Sequence, residues 1–231
     1  PIAYEEIPNE ELKLLMGAVT AERVRLLGKR VAKLHLNMIG AEGDVDFGPE
    51  VFSLHYQRSL FSAYQSKVRR AYQKLNKHYK NIPEHLRREA EQVWSLKRDV
   101  LAVLKQVYKK KIDIAKLRIH GDLSLGQVLF TGRDFVFVDF EGEPSLRYSE
   151  RRLKRAALED VASMIRSFHY VAYEGLLNNN QLNSEEKLAM QPWAEKWYHY
   201  MSQIFIKAYI IRAESDLLIP PSQEDLKRII D

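Results

Sequence analysis

The stretch from Arg118 to Pro144 constrains the fold of this chain more than any other. It reads RIHGDLSLGQVLFTGRDFVFVDFEGEP. Val128-Leu129-Phe130 and Phe135-Val136-Phe137-Val138 are short apolar runs, and Thr131-Gly132-Arg133 between them supplies a turn glycine. Two such runs joined by a Gly-containing turn predict a β-hairpin. The second run alternates little and reads as a buried strand. An acid stands at each end, Asp122 before and Asp139 after. The ends of a hairpin are neighbours, so two carboxylates and the Gln127 amide are directed towards one point.

Phosphoryl transfer asks for such a set, because its catalysis is mostly positioning and charge neutralisation. One carboxylate orients the attacking hydroxyl and takes its proton. An amide oxygen and a second carboxylate can hold Mg²⁺, a hard cation that prefers oxygen ligands. The arrangement resembles the catalytic and metal-binding loops of the protein-kinase-like phosphotransferases, with their H-x-D-x-x-x-x-N and following D-x-x. His120, Asp122 and Gln127 hold the first spacing, Gln replacing Asn, and Asp139 takes the metal-binding position.

The motifs H-G-D-x-x-L-G-Q-V-L, D-F-E-G-E-P and S-E-R-R-L-K-R occur in this order, followed by Asp160-Val161-Ala162-Ser163-Met164-Ile165-Arg166-Ser167-Phe168. Together they resemble the maltokinases, relatives of the aminoglycoside phosphotransferases that also occur fused to trehalose synthase. The dense part covers residues 118–170; residues 4–83 match loosely. The resemblance implies a catalytic Asp122, with Gln127, Asp139 and Glu141 as metal ligands. His120 would brace the loop, and Asp160 would anchor it. The family has a His two residues after the catalytic Asp, thought to help hold the sugar. Ser124 stands there instead and is the substrate-contact candidate at a position where the pattern departs.

The implied activity is transfer of the ATP γ-phosphoryl to the anomeric hydroxyl of maltose, with Mg²⁺ and ATP required. Other hydroxyl acceptors, as in aminoglycoside or choline kinases, remain the near alternative. A non-catalytic docking or regulatory module of a trehalose synthase fusion is the other reading, with retention of Asp122, Gln127 and Asp139 against it. Ser-His-Asp hydrolysis is excluded, since no G-x-S-x-G elbow occurs.

The rest of the chain reads as helix. A short helix is expected from Asn9 to Met16, then one capped by Thr20 and running to Ile39, with Val24, Leu27, Val31, Leu34 and Met38 inward. His35 falls beside that face, as a core or boundary residue. Residues 40–49 form a polar loop; Asp44 and Asp46 lack the full calcium-loop pattern. Pro49 is expected to open a helix to Tyr79 with a stripe of Phe52, Tyr56, Leu60, Tyr64, Val68, Tyr72, Leu75 and Tyr79. After the break at Pro83, one long helix is expected from Glu84 to Lys111, with Leu86, Val93, Leu96, Val100, Leu104 and Val107 inward, antiparallel to the one before. Helix returns from Ala156 to Leu177. Asn183-Ser184-Glu185-Glu186 reads as a capping box opening another, which Pro192 should kink or divide. Trp197, Met201, Phe205 and Ala208 share its core face. Pro220-Pro221 stops the pattern, and Ser222 caps a last helix.

The expected fold is therefore mainly α with one small β-hairpin, the C-lobe of the kinase-like fold, as a single lobe over residues 1–231. No Gly-rich strand turn and no V-A-x-K strand is found, so the N-lobe is expected to lie in a longer parent chain, with a trehalose synthase domain as another possible neighbour. The start at Pro1 without Met agrees with a piece of a longer protein. The absence of cysteine excludes disulfides and Cys-based zinc sites and suits a reducing cytoplasm. No apolar run approaches the ~20 residues a membrane helix needs. The net charge of +5 rests on clusters at residues 67–70, 109–111 and 151–155, read as solvated faces with no nucleic-acid motif behind them. Arg147, Arg151 and Arg152 are read the same way.

Overall fold

The computed structural model describes Glu10, residues 14–213, Ser215 and residues 217–230 (the side chain of Ile230 excepted). Half of the helix expected from Asn9 to Met16 lies outside them. The chain divides into two compact units. The first takes the described residues of Pro1–Val51, Ile114–Pro221 and Ile230–Asp231; the second takes Phe52–Asp113 and Ser222–Ile229.

The first unit is built on three helices: α1 (Gly17–Asn37), α6 (Leu158–Leu177) and α7 (Ser184–Ala213). Helix α7 packs against both others. Val24, Leu27 and Val31 of α1, Val161, Met164 and Phe168 of α6, and Met201, Phe205 and Tyr209 of α7 join one core with Leu117, Ile119 and Leu123. The Phe168 and Phe205 rings meet edge to face at 5.4 Å. Gly28 sets how close α1 comes to α7, since a Cβ there would lie 2.5 Å from the Phe205 carbonyl oxygen. Helix α1 starts before Thr20. Buried Met16 anchors its first turn to the core, and no side chain caps it.

The hairpin forms where the sequence places it. Strands β3 (Val128–Phe130) and β4 (Phe135–Phe137) pair antiparallel, Val128 opposite Phe137. Thr131 accepts and donates across the turn to Asp134. β4 is not a buried strand, however. Phe135 and Phe137 pack on the core while Val136 is 48% exposed. One face of the hairpin meets the helices and the other is open, which restores the alternation of a half-buried strand. Arg30 of α1 donates from Nε to Asp134 at 2.6 Å and ties the tip down. That contact is the first cause holding the Asp134 carboxyl below its ordinary value, ahead of the Phe135 N–H.

A second sheet was not foreseen. Strands β1 (Glu50–Val51) and β2 (Ala115–Lys116) pair antiparallel, and Lys116 Nζ meets Glu50 at 2.7 Å. The helix expected from Pro49 therefore starts later. In the loop before it, Asp44 spends its carboxylate on the N–H groups of Asp46 and Phe47, the turn of a plain connection. The capping box of α7 closes in both directions: Asn183 accepts from Glu186 N–H, and Glu186 from Asn183 N–H. Pro192 does not divide α7. It removes the donor for the Leu188 carbonyl, but Leu188 is exposed, so water can serve that carbonyl. The short helix α5 (Tyr148–Arg151) interrupts the otherwise irregular segment before α6.

In the second unit, Ser53 caps α2 (Leu54–His78) by accepting from Tyr56 N–H. The expected aromatic stripe is half-buried along α2, from Tyr56 to Tyr79. Its one fully buried residue is Gln57, whose amide donates to the Val107 and Lys110 carbonyls and accepts from Ile112 N–H. The return arm is not one helix. It runs as a 3₁₀ turn (Glu84–Leu86), α3 (Arg87–Ser95), α4 (Lys97–Leu104) and a second 3₁₀ turn (Lys105–Tyr108). Ser95 bonds back to the Gln92 carbonyl at 2.7 Å where α3 ends, the local competition that weakens helix interiors. The break rotates the inward face. Leu86, Val93, Leu96 and Val100 are exposed, while Ala90 is buried and Leu101 and Leu104 are half-buried. Helix α8 (Gln223–Ile230) closes the unit, its Asp225 paired with Lys110 and Arg228.

Candidate active site

The segment between β2 and the hairpin carries His120, Gly121 and Asp122, and everything around it fixes its backbone. Asp160, in the first turn of α6, accepts from His120 N–H at 2.8 Å and from Gly121 N–H at 2.9 Å. The same carboxylate meets His35 Nε2 at 3.1 Å, and His35 Nδ1 meets the Tyr209 hydroxyl at 2.9 Å. Asp160, His35 and Tyr209 are all buried. Burial first, and then the Asp160 charge, push the Tyr209 phenol far above its ordinary value, so it keeps its proton, and it donates to Nδ1 in the neutral tautomer that carries its hydrogen on Nε2. Nε2–H then donates to Asp160. Three helices thus send one polar chain to the loop, with each buried group partnered.

His120 sits under the loop and reaches the other end of the hairpin. Its Nε2 donates to the Val138 carbonyl at 2.9 Å, and its Nδ1 accepts a long bond of 3.4 Å from Asp122 N–H. Its ring packs at a tilt against Phe140 with centroids 4.7 Å apart. Both ring nitrogens are engaged in holding backbone. Gly121 has φ 82°, and a Cβ on it would lie 3.5 Å from the Gly142 Cα, so the His-Gly-Asp segment abuts the one that follows Asp139.

Asp139 is, among the described residues, the one non-glycine residue with positive φ, at 67°. An L-residue there costs about 1–2 kcal/mol, with Asp among the least penalised. Such strain is held where the surroundings over-determine it, and it clusters at functional sites. The Val138 N–H bonds to the Gln127 carbonyl at 3.0 Å, so Gln127 lies across the ladder from the residue before Asp139.

The Asp122 carboxyl is raised above its ordinary 3.8, by desolvation first and then by the negative charge of Glu143. Asp139 and Asp160 add to the rise, and His120 opposes it. The structure therefore brings Glu143, Asp139 and Asp160 within electrostatic reach of Asp122. Glu141 is exposed. Glu143 is the acid whose charge acts most strongly on Asp122. Arg151 donates to the Leu146 and Pro144 carbonyls and Arg152 to Asp46, so both are bonded within the fold and not merely solvated.

Gln127 and Ser124 are engaged with each other. The Gln127 amide oxygen accepts from the Ser124 N–H at 3.2 Å and from the Ser124 hydroxyl, and Ser124 Oγ accepts from Gly126 N–H. They cap the 3₁₀ turn Leu125–Gln127. Among the described residues no three His, Cys, Asp or Glu side chains converge as a self-sufficient metal cage. The donors near Asp122 are carboxylate oxygens. That chemistry fits Mg²⁺, which takes one or two protein carboxylates and completes its shell with phosphate and water.

Sequence reading missed the role of His35 and Tyr209 behind the loop. A histidine beside an apolar helical stripe was the available signal, and its partner 174 residues away was not.

No protein-family model matches the chain. Among solved structures it is similar to a glucosamine kinase in one crystal form, with 18% identity and a TM-score of 0.67 over 96% of this chain and 50% of the other. It is equally similar to a glucosamine kinase in complex with glucosamine, ADP and inorganic phosphate, at 18% identity and TM-score 0.67, covering 96% and 48%. A second crystal form gives 18% and 0.66, covering 96% and 50%. The chain thus has a kinase-like fold, mostly helical with two small antiparallel sheets, and spans about half the length of these neighbours. Among the described residues no helix is long and apolar enough to cross a membrane.

Proposed function

We propose that this chain is the lobe of an ATP-dependent sugar kinase that carries the catalytic loop. The observation that carries the reading is the pairing of a raised Asp122 with a strained Asp139 at the two ends of a hairpin, both tied to one buried polar chain. The fold shared with glucosamine kinases, one of them holding ADP and a sugar, supports the same class.

In this reading Asp122 accepts the proton of the acceptor hydroxyl. The hydroxyl oxygen forms a bond to the γ-phosphorus as the bond to the β-γ bridging oxygen breaks, and ADP leaves. A raised carboxyl suits that task, since a general base works best when its pKa approaches the working pH. Asp139 with Glu141 or Glu143 would hold Mg²⁺, which supplies charge neutralisation at the nucleotide phosphates. Gln127 contributes its amide only if Ser124 releases it. Asp160 and His120 act through position, holding the backbone that presents Asp122.

Maltose is the acceptor the motif resemblance implies, with transfer to its anomeric hydroxyl. The nucleotide-gripping lobe is proposed to lie in the remainder of a longer protein, consistent with the half-length match. Incubation of the full-length protein with Mg-ATP and maltose, glucose or glucosamine, followed by mass analysis, tests the reading. A sugar monophosphate formed together with ADP is expected. ATP left intact with every sugar would remove the phosphotransferase assignment.

A further inference from the structure

Beside Asp122 a cavity of about 320 Å³ opens between the catalytic loop and the outer face of α6. That is near the lower end of small-ligand sites, about 300–1,000 Å³. Asp122 and Ser124 line one side; Ser163, Arg166, Tyr170 and Val171 line the other. Residues 163, 166 and 170 are spaced by three and four, so one helical face presents them. The wall does not float. Leu125 N–H bonds to Ser167 Oγ at 3.3 Å, and Ser167 also donates to the Met164 carbonyl at 2.7 Å, fixing α6 to the loop that carries Asp122.

The polar groups divide into two sets. Ser124 and Ser167 are spent on the fold. The Ser163 hydroxyl, the Arg166 guanidinium and the Tyr170 hydroxyl have no hydrogen-bond or ion-pair partner among the described residues. Tyr170 is 63% exposed and has no aromatic ring contact among the described residues. An unspent guanidinium, a hydroxyl and an open aromatic face, one helical turn apart and facing a candidate base, form a recognisable chemistry. Such a face can bond sugar hydroxyls through the fork and the serine and can take a sugar ring on the aromatic face.

We infer that the face of Ser163, Arg166 and Tyr170 is the acceptor subsite and that it selects a neutral sugar over an amino sugar. The inference rests on the phosphotransferase reading above and gives its acceptor side. The reacting hydroxyl points to Asp122 while neighbouring hydroxyls meet Arg166. An ammonium at that neighbouring position would meet the like charge of the guanidinium, and Asp122 is the carboxylate among the residues that line the cavity. Asp122 lines the same cavity and is reserved for the hydroxyl that reacts. Ser163, Arg166 and Tyr170 went unnoticed as a site in the sequence because the helix that carries them reads as a packing element.

The test uses the full-length protein with Mg-ATP and three acceptors: maltose, glucose and glucosamine. Arg166→Ala, Arg166→Glu and Tyr170→Ala are compared with the unaltered protein and with Asp122→Asn. Arg166 and Tyr170 are exposed, so these changes spare the core. Arg166→Ala and Tyr170→Ala should raise the KM of the best neutral acceptor about tenfold to hundredfold, the span of one charge-assisted hydrogen bond. The ATP KM should not follow. Arg166→Glu should shift the ratio of kcat/KM for neutral sugar over glucosamine towards glucosamine by about tenfold or more. An acceptor KM and a selectivity ratio unmoved by all three variants, while Asp122→Asn lowers kcat about 10²–10⁴-fold, overturn the subsite and leave the kinase reading standing. A kcat of Asp122→Asn within a few-fold of the unaltered protein removes Asp122 as the base and with it the subsite built beside it; no turnover with any acceptor overturns the kinase reading and the subsite together.

Discussion

Asp160→Ala is the substitution that most fully engages the architecture of the site. The Asp160 carboxylate accepts three bonds, from His120 N–H, Gly121 N–H and His35 Nε2–H, at 2.8, 2.9 and 3.1 Å. Alanine leaves all three donors in a region where Asp160, His120 and His35 are each 1% exposed. An orphaned buried donor costs about 1–3 kcal/mol, and a hydrogen bond to a charged group contributes about 1.5–3 kcal/mol. Water entering the vacated space recovers part of this, because the void is polar. The expected loss is about 3–5 kcal/mol, a large share of the roughly 5–15 kcal/mol that holds a domain together. Denaturant titration of the 231-residue chain, followed by circular dichroism, reads this as a fall in midpoint at constant slope. Tyr209→Phe removes only the far end of the chain and should cost about 1–2 kcal/mol by stranding His35 Nδ1. The two losses should combine to less than their sum, since both act through His35. A loss below about 1 kcal/mol for Asp160→Ala, or strict additivity with Tyr209→Phe, would refute the argument that one connected chain supports the loop.

Gly28→Ala should lower stability by about 1–3 kcal/mol on denaturant titration, because its Cβ meets the Phe205 carbonyl at 2.5 Å and one helix must move; an unchanged midpoint contradicts the close approach. Gln57→Ala should cost about 2–4 kcal/mol, because it strands the Val107 and Lys110 carbonyls and the Ile112 N–H, and hydrogen exchange at Ile112 should speed up. Asp122→Asn should raise thermal stability near neutral pH. The folded Asp122 carboxyl is raised, so its contribution is fully present below its ordinary 3.8 and lost as pH climbs through the folded value. Asparagine removes that loss, so its advantage should grow from acid towards neutral pH; an advantage that shrinks over the same range contradicts the sign.

The hairpin and most of the helices were legible because local chemistry decides them. Thr131-Gly132-Arg133 turns whatever it joins, and Asn183 with Glu186 caps a helix before any partner is present. The break at Ser95 and Leu96 was not legible, because a single side chain bonding back to Gln92 outweighed an apolar periodicity that continued across it. The sheet of β1 and β2 was invisible for a different reason. Two residues are too few to show a pattern, and their partners are 66 and 64 positions away. At the site, spacing located Asp122, Gln127 and Asp139 in the sequence. It could not show that Gln127 is occupied by Ser124, nor that Asp160 is backed by His35 and Tyr209, because both facts depend on side-chain direction after packing.

The central claim is that Asp122 takes the proton of a sugar hydroxyl during phosphoryl transfer from ATP. Its most direct test is the turnover of Asp122→Asn in the full-length protein, measured by ADP release at saturating Mg-ATP and sugar, beside ATP binding measured separately. Losing a general base costs about 10²–10⁴-fold, so kcat should fall by that factor while ATP affinity stays within about twofold. A kcat that holds within a few-fold of the unaltered protein contradicts the account.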